Sequence, residues 1–587
     1  MLGNIIAIEG NKVIVKLNVE PEKLINLYVI MTDKDKEIIG EIIDIKENNA
    51  VISLLGEIIN NKFIPGVISK PSFKSEVKLI SRNKMPIIIG IDDYKENEHL
   101  YLGESTVYPG IKIGVNINDF FSRHFAIFGS TGSGKSCSIA RIFQNLFSKE
   151  KHIPYRASVF LFDAYGEYHN AFKELHNNIP EITFKSYTTD FNSNEGEIIR
   201  IPMWLLDTDD IAIMLGVEKA SQLVIIEKTL KLVTIFSREE SIVLKHKNDI
   251  IARAILDILS SGRSSTQIRD QVISVLSRYN TSELNLETKI VQPGYVRSLK
   301  QCFIIDSTGK IREMELLVNF MEQFLDDTLE LKLPDKTFKY DLSDLREALD
   351  FALISEGVLK SDKIFDEVNI LKVRLHSLIN SENGKFFEYD KFITTEDYIK
   401  ELLRTSDSKK AQIVNFNINS VDDRFAKVLT KIYSKMLFNY SKESGNKGTL
   451  PFHIVLEEAH RYVQNDNDIN IIGYNIFDRI TKEGRKYGVL LGLISQRPSE
   501  LSETCLSQCS NFLIFKMLHP VDIEYIESMV PDITLDIIEK IRILQPGVCI
   551  AFGSAFKLPG LIKFEMPNPA PSSESCDLIS SWFLEKK

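Results

Sequence analysis

The sequence predicts an α/β protein: a nucleotide-binding core on a parallel sheet, a small β-barrel ahead of it, and a large helical insertion within it. Three observations carry this expectation. Up to about residue 105 the chain alternates apolar and polar side chains in short runs joined by turn residues. From about residue 108, wholly apolar runs alternate with helical stretches, the pattern of strands covered on both faces. Between residues 207 and 405 helical periodicity stands alone.

The bulk composition narrows the function classes. The 587 residues are 44% hydrophobic and 26% charged, ordinary for a globular protein of several domains. The net charge of −10 excludes a uniformly basic nucleic-acid coat, so any such surface is a local patch or the inside of an assembly. The N-terminus lacks a basic, apolar leader pattern, and no apolar run has the length of a bilayer span. Cys137, Cys302, Cys505, Cys509, Cys549 and Cys576 are scattered without zinc-site spacing. Reduced thiols, a cytoplasmic location and no membrane partner are the expectation.

Residues 1–105 read as the barrel. Ile5–Ile8 and the alternating Val13, Val15 and Leu17 flank a turn at Gly10, and a second hairpin joins residues 37–45 to 50–55. Nothing there looks catalytic, so docking or oligomerisation is its expected role.

The first part of the core, residues 106–206, opens with the strand Phe125–Phe128. Gly129, Ser130, Thr131, Gly132, Ser133, Gly134, Lys135 and Ser136 then fit G-x-x-x-x-G-K-[ST], and Cys137 leads into a helix reaching Phe147. Glycines there let successive amides curl round a phosphate at a helix N-terminus. Lys135 would reach the β- and γ-phosphates of ATP, and the Ser136 hydroxyl would ligate Mg²⁺. A second apolar strand, Ala157–Phe162, ends at Asp163, on the nucleotide side of a parallel sheet. The alternative reading of Asp163 is a cap on the following turn. Ile198–Leu206 is a third apolar segment.

In residues 207–405, Leu223, Ile226, Leu230 and Val233 share one helical face, and Ile251, Ile255 and Ile258 another. Leu317, Phe320, Met321 and Phe324 form a third stripe, and Leu345, Leu349 and Ala352 a fourth. Arg253, Arg263, Arg269 and Arg278 read as a solvated face rather than a phosphate contact.

The core resumes over residues 406–566 with the strand Ala411–Phe416 and a helix to about Tyr440. The strand Phe452–Leu456 ends in Glu457 and Glu458, the Walker B arrangement. Glu457 would join the Mg²⁺ shell and Glu458 would orient and deprotonate the attacking water. Gln496, at the end of the strand Val489–Ile494, is placed to sense the γ-phosphate. Arg485 is the candidate arginine finger, with a surface arginine at a helix C-terminus as its plain alternative. Strands at Phe512–Phe515 and Val548–Phe552 are expected to finish the sheet. Residues 567–587 read as a tail, either flexible or strapped over a neighbour.

Together, Arg123 and His124, the P-loop, the stretch Asp163–Tyr168, Ile201–Leu206, Glu457–His460, Glu483–Lys486 and Ser495–Pro498 resemble the HerA family of FtsK-like DNA-translocating ATPases. The resemblance implies a RecA-like core assembled as a homohexamer, with double-stranded DNA in the central channel. It implies Lys135, Ser136, Asp163, Glu457, Glu458 and Gln496 acting within one subunit, with Arg485 reaching from the next and Arg123 assisting there. Relatives work with a NurA nuclease or, in antiphage defence, with a sirtuin-like NAD-consuming protein or another nuclease. The chain departs from the family at Ala164 and Tyr165, which replace a proline and a histidine, and in its enlarged insertion.

Two functions from different classes follow. One is an ATP-driven duplex-DNA translocase serving a nuclease or defence effector. The other is an ATP-controlled ring scaffold that activates such an effector without processive translocation. DNA stimulation of ATP turnover separates them. A protein-remodelling motor fits the ring but lacks an evident substrate-recognition module.

Overall fold

In the computed structural model the alternating N-terminal runs close into a barrel. All residues are described except 34–35, 92–93, 150, 330–337, 358–361, 446–449, 531–534, 573–577, 579–581 and 584–587. The chain divides into two units. Residues 1–198, 398–466 and 475–587 form one, and residues 199–397 with 467–474 form the other.

The barrel uses β1 (Gly3–Glu9), β2 (Lys12–Leu17), β3 (Tyr28–Asp33), β4 (Lys36–Lys46), β5 (Asn49–Ile59), β6 (Lys62–Pro65) and β7 (Glu76–Leu79). The order β2-β1-β7-β3-β4-β5 closes through pairing of β5 with β2, and β6 hangs on β5. Closure removes the exposed edges an open sheet would leave. Val13, Val15, Ile38, Ile42, Ile52 and Val77 fill the interior. The barrel ends earlier than the sequence suggests. β8 (His99–Ser105) joins the core sheet instead, pairing with the strand at Gly560–Phe564 and with β9 (Lys112–Asn116).

The remaining strands are β10 (His124–Phe128), β11 (Ser158–Asp163), β12 (Phe184–Thr188), β13 (Glu197–Ile198), the hairpin β14 (Lys289–Gln292) and β15 (Tyr295–Ser298), β16 (Ile413–Asn417), β17 (Phe452–Leu456), β18 (Val489–Ser495), β19 (Cys509–Phe515), β20 (Val548–Gly553) and β21 (Gly560–Phe564). The core sheet runs β13-β12-β16-β11-β17-β18-β10-β19-β20-β21-β8-β9. Its first eight strands are parallel and the rest antiparallel. The P-loop strand β10 is separated from the Walker B strand β17 by β18, the RecA-like arrangement. β10, β11, β16 and β18 are buried along their whole length, as their largely apolar sequences suggest.

β12 has no apolar signature. Its buried Lys185 is satisfied by the carbonyls of Glu401 and Arg404, at 3.1 and 2.7 Å, and by Glu197 at 3.1 Å. The segment at Ile198–Leu206 is barely a strand, because Pro202 offers no N–H and Met203–Leu205 coil into a 3₁₀ turn. The sheet does not finish at β20, since β21 returns antiparallel to it.

The second unit is mainly helical. Thr208–Leu215 starts in a capping box between Asp207 and Asp210 and stops at left-handed Gly216. Ala220–Phe236 buries Ile225, Ile226, Thr229, Leu232 and Val233, a wider face than one stripe. Ile251, Ile255 and Ile258 are buried as their spacing predicts, as are Leu345, Leu349 and Ala352. The arginines of this unit are partnered: Arg253 by Asp249 and Asp327, Arg269 by Asp270, Arg278 by Asp350.

Candidate nucleotide-binding and hydrolysis site

The loop after β10 is clamped from one side. Ser130 N donates to Lys516 O at 2.9 Å, and Gly547 N to Ser133 O at 2.9 Å. Gly134 has φ +110°, and a Cβ there would stand 3.1 Å from Gly547 backbone. At Gly129 a Cβ would meet Ser133 Oγ at 2.5 Å and Phe515 Cβ at 2.6 Å. Both positions therefore require glycine. The helix Lys135–Phe147 then begins, and the amides of Lys135, Ser136 and Cys137 have no acceptor within it, which makes an anion seat. Lys135 is buried, and its Nζ donates to Gly129 O at 2.8 Å and Ser130 O at 3.1 Å. Burial pushes its pKa down, and the carboxylates of Glu458, Glu457 and Glu167 oppose that.

β17 delivers two acids with different surroundings. Glu457 is buried, with Oε1 accepting from Ser136 Oγ at 3.3 Å and Oε2 from Ala164 N at 3.1 Å. Burial first, then Asp163 and Glu167, hold its carboxyl well above the usual carboxylate range. Glu458 has left-handed φ 48°, ψ 46°, a strained backbone conformation for a residue with a side chain. Its buried Oε2 accepts no hydrogen bond and lies 3.3 Å from His460 Nδ1. Burial raises the Glu458 pKa, and Lys135 and Arg461 moderate the rise.

Asp163 serves the loop that follows it. Oδ1 accepts from Gly166 N at 2.8 Å and Glu167 N at 3.0 Å, and Oδ2 from Tyr168 N at 3.0 Å and Asn415 Nδ2 at 3.3 Å. The side chain is fully buried, so this geometry matches the turn-capping alternative, and Asp163 reaches the site through Glu457 and the loop. Gln496 stands where its strand places it, with Oε1 accepting from Thr131 Oγ1 at 2.7 Å.

Arg485 is the predicted site residue that stands apart. It lies in the last turn of the helix Ile476–Tyr487, exposed, and within electrostatic reach of His124. Gly484 beside it packs on the start of β18, where a Cβ would be 2.3 Å from Val489 O. His124 and Val489 begin strands whose other ends carry the P-loop and Gln496. The five residues of β10 put roughly 15 Å between the two edges. Arg485 thus lies at the sheet edge opposite the P-loop, and Arg123 shares that edge. Neither guanidinium has a hydrogen bond or ion pair among the described residues.

The sequence reading passed over Glu167, Asn415, His460 and Arg461, which surround these groups. Glu167 and His460 lie inside the motif stretches already noted, so their positions were visible although their roles were not. The donors present would suit a magnesium ion: the Ser136 hydroxyl and Glu457 offer hard oxygens 3.3 Å apart, and the carboxyls of Glu458, Glu457 and Glu167 gather around Lys135. Among the described residues no three acidic, histidine or cysteine side chains form a ready cage.

The family comparison agrees with this geometry. The profile "Helicase HerA, central domain" matches residues 100–321. The DNA double-strand break repair helicase HerA of Pyrococcus furiosus is 25% identical over 522 residues, 88% of this chain and 77% of that protein. Over most of its length the chain is similar to members of the HerA family. A probable member from Methanocaldococcus jannaschii is 22% identical over 566 residues, 94% of this chain and 93% of its own. Among solved structures, VirB4 of Thermoanaerobacter pseudethanolicus aligns with 79% of this chain and 96% of its own at a TM-score of 0.39 and 14% identity. With a RecA-like strand order and HerA relatives matched over most of its length, the chain is a P-loop ATPase, an enzyme that hydrolyses ATP. No helix among the described residues is long and apolar enough to cross a membrane.

Proposed function

We propose that the chain is the motor subunit of a homohexameric ring that uses ATP hydrolysis to move double-stranded DNA through its channel. A NurA-like nuclease or a sirtuin-like, NAD-consuming defence effector would be its partner. The observation that carries the reading is the placement of Arg485 at the sheet edge opposite Lys135, which suits a guanidinium offered to a neighbouring copy. Several relatives carry names for helicases of DNA break repair, which points to DNA as the polymer moved.

In this reading ATP binds with its phosphates on the amides of Gly132–Cys137 and on Lys135. Ser136 and Glu457 would hold Mg²⁺, which neutralises charge on the β- and γ-phosphates. Glu458 takes a proton from the attacking water, its carboxylate held in a dry position beside His460. Gln496, tied to Thr131, reports the state of the γ-phosphate to β18. Arg485 of the neighbouring subunit stabilises the charge that develops on the transferring group.

Steady-state ATP hydrolysis with and without linear duplex DNA tests the proposal, with Lys135→Ala as the blank. Marked stimulation by DNA is the expected outcome. Turnover indifferent to DNA would favour the scaffold reading, to which the enlarged second unit and the altered Ala164 and Tyr165 lend some weight.

A further inference from the structure

The C-terminal segment is not a loose tail over its described length. Gln144, buried on the P-loop helix, accepts from Asn568 N at 3.0 Å and donates to Pro569 O at 2.8 Å. Further on, Ser572 N donates to Glu167 O at 2.9 Å, and Asn170 Nδ2 hydrogen-bonds Ser572 Oγ. Arg141 on the same helix pairs with Glu565 where the segment begins. The segment therefore runs along the P-loop helix and ends on the loop between β11 and the next helix.

That loop is held at Glu167 from both sides. Glu167 N donates to Asp163 Oδ1 at 3.0 Å, while its carbonyl accepts from Ser572. The half-buried Glu167 side chain faces the Ser136 hydroxyl and the Lys135 ammonium. A carboxylate beside a hydroxyl that ligates Mg²⁺ is suited to the outer shell of the ion, where it orients the ligand and accepts from bound water.

We propose that Glu167 is a positioning residue for magnesium–nucleotide at Ser136, and that the segment from Asn568 to Ser572 holds it in place. This rests on the reading that the P-loop binds Mg–ATP. It adds a carboxylate to the site and gives the C-terminus a mechanical connection to it, through one backbone hydrogen bond.

The test is binding of a fluorescent ATP analogue during a Mg²⁺ titration, which needs no turnover. Glu167→Gln removes the negative charge but keeps the shape. Ser572→Pro removes the N–H that holds Glu167, whereas Ser572→Ala keeps it and loses only the contact with Asn170. We expect Glu167→Gln and Ser572→Pro to raise the half-saturating Mg²⁺ about tenfold, and Ser572→Ala to leave it within about twofold. Binding measured in EDTA should stay the same in all three. A Mg²⁺ midpoint unchanged in Glu167→Gln or in Ser572→Pro overturns the inference while leaving the nucleotide site intact. Wild-type protein that binds no analogue, or binds it equally after Lys135→Ala, overturns the nucleotide reading and the inference with it.

Discussion

The Thr131 hydroxyl donates a 2.7 Å hydrogen bond to Gln496 Oε1, tying the P-loop to the end of the strand that lies between it and the Walker B strand. A γ-phosphate arriving at the loop meets both side chains together. Gln496→Ala should leave affinity for the nucleotide within about threefold, because one neutral hydrogen bond contributes little to ground-state binding. Turnover should fall about tenfold or more, the usual cost of losing a preorganised polar group beside developing charge. Analogue binding and kcat, measured on the same preparation, check the split.

Glu458 carries the proton transfer in the proposed mechanism. Glu458→Gln should bind ATP as wild type does and lose about 10²- to 10⁴-fold in kcat. Its pKa is raised by burial, so the base becomes protonated at a higher pH than an exposed glutamate would. The acid limb of the wild-type kcat profile should therefore lie above about pH 4.5, with rate lost as pH falls through it. A flat profile down to that value would argue against Glu458 as the base.

Glu457 makes the opposite kind of prediction, about stability. Its folded pKa is raised above the unfolded value, so between the two the folded protein holds a proton the unfolded chain has released. Stability from this group is complete below the unfolded pKa and is lost as pH rises through the folded one. In nucleotide-free, metal-free protein, Glu457→Gln should therefore raise Tm at neutral pH. The gain should shrink towards zero near pH 4.5, where both forms are neutral. Tm measured across that range decides it, and a gain that does not vary with pH would remove the charge as its cause.

Much of this site was legible because its chemistry is local. Gly129–Ser136 folds as it reads, since Gly132 and Gly134 supply the positive φ that the turn needs and Gly129 makes room for Ser133 and Phe515. β10, β11, β16, β17 and β18 are mostly apolar because both their faces are covered, so each was visible by itself. β12 was not, because Lys185 is satisfied by carbonyls more than two hundred residues away, and no local pattern encodes that. β8 alternates like a barrel strand, and only its pairing with β21 shows where it belongs. Asp163 was read correctly as standing at a strand end on the nucleotide side. Which way its oxygens point depends on the amides of Gly166, Glu167 and Tyr168, and a capping aspartate and a catalytic one look alike in sequence.

Arg485 offers the sharpest test of assembly. Its helix ends against the start of β18, at the edge where β10 also begins, so a guanidinium there has its own P-loop at the far end of the strands. Arg485→Ala should reduce kcat about 10³-fold or more, the scale set by arginine fingers, with little change in binding of the ATP analogue. Glu458→Ala subunits are inactive for a different reason and retain an intact Arg485. When the two variants assemble together, an Arg485→Ala subunit supplies a complete Walker site and a Glu458→Ala neighbour supplies the missing guanidinium. Random mixing in a head-to-tail ring makes that pairing at about one quarter of interfaces, so activity should return to about that share of wild type. Mixed rings, verified by mass measurement, that stay inactive would mean Arg485 acts within its own subunit or not at all. A guanidinium confined to the wrong edge of its own sheet leaves only the second of those.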